Sequence, residues 1–94
     1  MPRLDASAIP ARLTRVPGWE LVGDTLRRQY TLADFRAALA FVDRVGALAE
    51  AANHHPDILI EYRRVTLTLA THDAGGLTDL DFDLAARIDA DAAP

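Results

Sequence analysis

Residues 50–72 read EAANHHPDILIEYRRVTLTLATH, and the change of period inside this stretch decides the fold. Up to it, apolar residues recur at helical spacing; beyond it, they alternate with polar ones at the spacing of a strand. Pro56 disfavours helical backbone at His55, so the helix must end by about Asn53, a residue type that tolerates the left-handed cap conformation. His54 and His55 then sit in an extended exit. Residues 58–62 and 65–71 read as a hairpin, with Val65, Leu67 and Leu69 on one face and Thr66, Thr68 and Ala70 on the other. Its turn, near Arg63-Arg64, lacks the usual Gly or Asn.

Working upstream, the helix that ends at Asn53 is the longest in the chain. Thr31 with Asp34 three residues on is a variant capping box, which predicts a helix over residues 32–52. Phe35, Ala38, Phe41, Val42, Val45, Leu48, Ala49 and Ala52 gather on one side, with Arg36, Asp43, Arg44 and Glu50 opposite. Phe41 and Leu48 lie at the edge of this wide stripe, which suggests contact with a second subunit. Before it, residues 19–22 and 25–30 flank Gly23-Asp24, a two-residue connection whose leading Gly suits a type II′ hairpin turn. Counting outward pairs Val22 with Thr25, Leu21 with Leu26, Glu20 with Arg27 and Trp19 with Arg28. Trp19, Leu21, Leu26 and Tyr30 then share one face, and Glu20 opposes Arg27 on the other. Residues 5–13 form a short helix if Pro10 falls in its first turn.

Working downstream, Gly75-Gly76 breaks the chain and Thr78 with Asp81 repeats the capping signal. Phe82, Ala85 and Ile88 then give a final helix its apolar stripe. The order is α-β-β-α-β-β-α. Two hairpins that each hide one face need helices to cover it, so the expected class is α+β, an antiparallel four-stranded sheet with helices packed on one face.

Composition bounds the function. Ninety-four residues suit a single domain spanning 1–94 with one modest core. Net charge is −4 and the ten basic residues, all Arg, are scattered, so the footprint of a nucleic-acid binder is absent. Without lysine there is no Schiff base, and without cysteine there is no disulfide, thiolate nucleophile or sulfur-ligated metal. No apolar run is long enough for a membrane span, and residues 1–10 lack the layout of a secretory signal. A cytoplasmic location is expected.

Against that background, Glu50, Asn53, His54, His55 and Pro56, followed by Tyr62, His72 and Asp81, form a constellation that composition and core building do not explain. An imidazole with an unperturbed pKa near 6.5 gives or takes a proton at neutral pH, so three histidines suggest acid/base chemistry. His54 and His55 are consecutive in extended backbone and point to opposite sides, so they flank a flat ligand more readily than they chelate one ion. Glu50 ends a helix, where the dipole disfavours its charge and a nearby imidazolium would offset that cost. If strand alternation persists, His72 projects to the face of Thr66, Thr68 and Ala70 beside the Gly75-Gly76 loop, which can let a ligand approach the backbone. Asp73 reads as a turn residue outside the catalytic set. Asp81 has a structural reading as the third helical residue, Trp19 one as core, and Tyr62 one as a packed strand residue.

Glu50, Asn53, His54-His55-Pro56, Tyr62, Thr71-His72, Gly76-Leu77-Thr78 and Asp81, with a weaker Gly18-Trp19 upstream, resemble the pterin-4a-carbinolamine dehydratase family. The resemblance implies the same α+β fold, assembled into homodimers or homotetramers. It implies removal of water from 4a-hydroxytetrahydropterin, which recycles the pterin of aromatic amino-acid hydroxylases, with no cofactor and no metal. His54, His55 and His72 would be catalytic, and Glu50, Asp81 and Trp19 would bind the pterin substrate. Proton transfer would fall to His55 and His72, with His54 and Glu50 orienting, although the histidine roles can be exchanged. Family members also act as dimerisation cofactors of a transcription factor, so a non-catalytic oligomeric binding module is the rival reading, and a small histidine metal site is a third. Two departures stand out: Ile58 where the family pattern has an aromatic, and Leu80 where it often has Arg.

Overall fold

The helical period stops at Asn53, as the sequence predicts. The computed structural model describes residues 2–93. In it α1 runs Ile9–Leu13, α2 Phe35–Ala52 and α3 Asp79–Ala92, with strands β1 Glu20–Val22, β2 Thr25–Thr31, β3 Asp57–Glu61 and β4 Arg64–Leu69. Asn53 closes α2 in the left-handed region at φ 49° and ψ 42°. Its N–H donates to the Glu50 carbonyl at 3.2 Å, while His54 N–H donates to the Ala49 carbonyl at 3.1 Å. This Schellman arrangement satisfies carbonyls that a free helix end would leave to water, and it anchors the backbone of His54.

The other end of α2 differs from expectation. Thr31 stays in β2 opposite Arg64, and Leu32 N–H donates to the Arg63 carbonyl at 2.9 Å. The strand ladder wins these residues, so the helix begins at Phe35 and Asp34 caps it by accepting from Ala37 N–H at 2.8 Å.

The first hairpin has the register read from the sequence, Glu20 opposite Arg27, Leu21 opposite Leu26 and Val22 opposite Thr25. Gly23 carries the positive φ of 58° that a type II′ turn demands of its first central residue. Leu21 nevertheless stays 48% exposed, because β1 is a three-residue edge strand that the helices do not cover. In the second hairpin Glu61 pairs with Arg64, so the turn is Tyr62-Arg63. Tyr62 is therefore not a packed strand residue: it sits at φ 55° and is 68% exposed.

The two hairpins join through their long strands, giving the antiparallel order β1-β2-β4-β3. One face is covered. Leu26, Tyr30, Val65, Leu67 and Leu69 of the sheet form a buried cluster with Ala38, Phe41, Val45 and Ala49 of α2 and Phe82, Leu84, Ala85 and Ile88 of α3. Arg27 and Gln29, which alternate with those positions, are exposed on the opposite face. Phe41, expected at the edge of the stripe, lies fully buried between Ala38 and Val45, its ring centroid 4.8 Å from that of Tyr30. The large apolar side chains that α2 leaves uncovered are Phe35 and Leu39, 48% and 45% exposed. Thr78 and Asp81 form the predicted capping box at the start of α3.

Candidate active site

The Schellman end of α2 delivers His54 and His55 to one end of the sheet, where β4 also finishes. The strand alternation lapses there: β4 ends at Leu69, Thr71 forms an isolated bridge with Gly76, and His72 opens a short 3-10 turn, His72–Ala74. Asn53, His54, His55, Ala70, Thr71, His72 and Asp73 line a cleft of about 240 Å³ between these two chain segments. The three histidines thus meet at one concavity, brought by a helix exit and a strand exit that are distant in sequence.

Each adjacent histidine turns to a different carboxylate. His54 Nε2 lies 2.5 Å from Asp81 Oδ1, with the imidazole 11% and the carboxylate 0% exposed. Asp81 Oδ2 accepts from the Thr71 hydroxyl at 2.8 Å and from Thr78 N–H at 3.0 Å. His55 Nε2 is hydrogen-bonded to Glu50 Oε2 in the open, the two side chains being 56% and 77% exposed. The opposite-sides argument accounts for this divergence.

Not every expected residue reaches the cleft. Glu50 touches it only through His55, and Asp81 only through His54 and Thr71. Trp19 is buried elsewhere: its indole N–H donates at 2.9 Å to Asp89 Oδ1, an oxygen that also receives Arg28 Nη1 at 3.0 Å and the Tyr30 hydroxyl. Burial first, and the bond to Asp89 second, raise the Tyr30 hydroxyl pKa well above that of a free phenol. This cluster ties the first hairpin to α3 and does not border the cleft. The space beside Gly76, expected to admit a ligand, is occupied: a Cβ there would lie 2.5 Å from Arg3 Cδ.

Sequence reasoning passed over three cleft residues. Asn53 and Thr71 carried the family resemblance but were given no site role beyond a cap and a strand, and Asp73 read as a turn. Their further signal was position, flanking His54 and His72. Among the described residues no three His, Cys, Asp or Glu side chains gather as a metal site would require. Every buried side-chain nitrogen and oxygen among them has a hydrogen-bond partner. The arrangement offers three imidazoles of different exposure around one small cavity, which suits proton transfer to and from a flat polar ligand.

A family model described as pterin 4 alpha carbinolamine dehydratase matches residues 2–90. The chain belongs to this family. A relative from Thermomicrobium roseum, provisionally named a pterin-4-alpha-carbinolamine dehydratase, is 53% identical over 88 residues, 94% of this chain and 95% of its own. One from Chloroflexus aurantiacus, with the same provisional name, is 56% identical over 89 residues, 95% of this chain and 96% of its own. The solved structure of a transcriptional coactivator/pterin dehydratase from Brucella melitensis superposes with a TM-score of 0.92 at 34% identity, covering 97% of this chain and 99% of that one. A pterin dehydratase-like protein identified as a RuBisCO assembly factor in the alpha-carboxysome superposes less closely, with a TM-score of 0.62 at 26% identity over 77% of this chain and 83% of that one. The open four-stranded sheet with helices on one face is thus the fold of the family. No helix among the described residues is long and apolar enough to cross a membrane.

Proposed function

We propose that the cleft binds 4a-hydroxytetrahydropterin and eliminates its hydroxyl as water, leaving quinonoid dihydropterin. The observation that supports this reading is the convergence of His54, His55 and His72 on one cavity of about 240 Å³ in a chain of the dehydratase family. Hydroxide leaves poorly, so its oxygen takes a proton from an acid as the C4a–O bond breaks. A base removes the N5 proton, and the nitrogen lone pair closes the C4a–N5 double bond. Each positioned acid or base contributes on the order of 10²–10⁴-fold.

His72, exposed at the cleft wall, and His55 are the mobile proton carriers in this reading. His54, held by Asp81, presents a fixed ring edge that binds and orients the pterin. Glu50 orients His55. Asp81 acts through His54 and not by touching the pterin, since no part of its side chain is exposed. The reaction would return the pterin to its hydroxylase cycle.

The decisive experiment follows loss of synthetic 4a-hydroxytetrahydropterin with and without the purified chain. Acceleration that saturates with substrate is the expected result, and an unchanged spontaneous rate overturns the reading.

A second reading rests on Phe35 and Leu39, apolar and about half exposed one turn apart on α2. They offer a surface to a second copy of the chain, which would serve either a catalytic oligomer or a binding module. Light scattering of Leu39→Glu beside the parent chain tests it: a smaller particle for the variant is expected, and two identical monomers would overturn it.

A further inference from the structure

Thr71 touches the supports of both His54 and His72. Its hydroxyl donates to Asp81 Oδ2 at 2.8 Å, and it lies 2.8 Å from the Thr78 hydroxyl. Its backbone closes the loop that carries His72: Thr71 N–H donates to the Gly76 carbonyl at 3.0 Å, and the Thr71 carbonyl accepts from Ala74 N–H at 3.0 Å. The strand end is thereby tied on one side to α3 and on the other to the loop.

The direction of these bonds can be worked out from donor chemistry. Leu80 N–H can only donate, and it does so to the Thr78 hydroxyl oxygen at 3.2 Å. An ionised Asp81 only accepts, so its Oδ2 takes the Thr71 hydroxyl hydrogen as well as Thr78 N–H, and with that hydrogen committed the Thr78 hydroxyl is the donor to Thr71 Oγ1. An ionised carboxylate only accepts, so the bond on Oδ1 must come from hydrogen on His54 Nε2. When the ring is neutral, the nitrogen left without hydrogen is Nδ1.

We infer that Thr71 is a positioning residue which, through Asp81, fixes His54 as the Nε2–H tautomer with Nδ1 as its free acceptor, and holds the His72 loop in register with it. This deepens the dehydratase reading, yet half of it is measurable without any activity. Nitrogen-15 spectra of the neutral His54 ring in the parent chain should show hydrogen on Nε2, and hydrogen on Nδ1 would overturn the inference whatever the enzyme does. Thr71→Val keeps the side-chain shape and removes the donor. In a folded Thr71→Val chain the spectra should show mixed His54 tautomers, kcat should fall about tenfold with KM changed far less, and Thr71→Ser should restore both. An unmixed tautomer together with an unchanged kcat would defeat the coupling. A parent chain with the Nε2–H tautomer but no dehydratase activity would sink the functional reading alone.

Discussion

His54 and His55 are neighbours, each bonded through Nε2 to a carboxylate, yet the two pairs are held by different physics. The His54 pair is closed off from water, and Asp81 carries further donors from Thr71 and Thr78. Such a carboxylate cannot change partners without leaving buried groups unsatisfied, so the geometry is stiff. The His55 pair stands in solvent, where water competes for every bond and salt screens the charges. Its geometry is free to change when a ligand arrives. One adjacent pair of residues therefore supplies both a fixed and an adjustable imidazole to a single cleft.

Breaking the buried pair has the largest expected effect. Asp81→Ala removes the partner of His54 and the acceptor of Thr71 and of the helix-capping Thr78 N–H, and should lower unfolding free energy by about 3–5 kcal/mol, read from urea melts at neutral pH. A loss no greater than that of an ordinary surface change would mean that the network adds nothing. Next come the proton carriers: His55→Ala and His72→Ala should each reduce kcat on the order of 10²–10⁴-fold while the melts stay close to those of the parent. Full activity in both would remove them from the mechanism. Glu50→Gln sharpens the contrast, because the exposed carboxylate should alter stability by no more than about 0.5 kcal/mol and activity by only a few-fold.

The smallest effect belongs to a third carboxylate, Asp79, two residues from Asp81 and on the solvent side of the same helical turn. Its bond to Arg12, at 2.5 Å, holds its carboxyl below the usual carboxylate range. A folded-state pKa below the unfolded value of about 3.9 gives stability that is present above that value and is lost as pH falls through the lowered one. Asp79→Asn should therefore melt slightly lower than the parent near neutrality, and the two should converge in acid. Added salt should shrink the difference at neutrality, unlike the effect of Asp81→Ala. A gap that persists at the lowest pH would show that the ion pair is not its source.

The elements that could be read directly were those punctuated by local chemistry. Asn53, two residues ahead of the His55-Pro56 step, marks the helix end, Gly23-Asp24 sets a two-residue turn and with it the pairing of every residue outward, and Thr78 with Asp81 opens a helix. Each signal acts within a few residues, so no knowledge of the rest of the chain is required. Thr31 misled for the converse reason: it is a good helix cap locally, but the ladder between β2 and β4 offers its backbone a competing partner in Arg64. Tyr62 was misread because its turn has no Gly or Asn to mark it. Phe41 was placed at an edge because periodicity gives an angle around the helix axis but not the point at which the sheet crosses it.

The same division runs through the site. The expectation of acid/base work by His54, His55 and His72 came from residue chemistry and family resemblance, since only imidazole changes charge near neutrality and the pattern around it is specific; the structure gathers the three at one cleft. Which carboxylate each imidazole takes, and which pair is buried, did not follow. Asp81 is 27 residues from His54, and the two meet only because α3 packs against the end of α2. Charge and proton affinity are properties of a side chain and survive in any fold. Distance, burial and the direction of a hydrogen bond belong to pairs of side chains, and they come into being only when helix, strand and loop close around the same cavity.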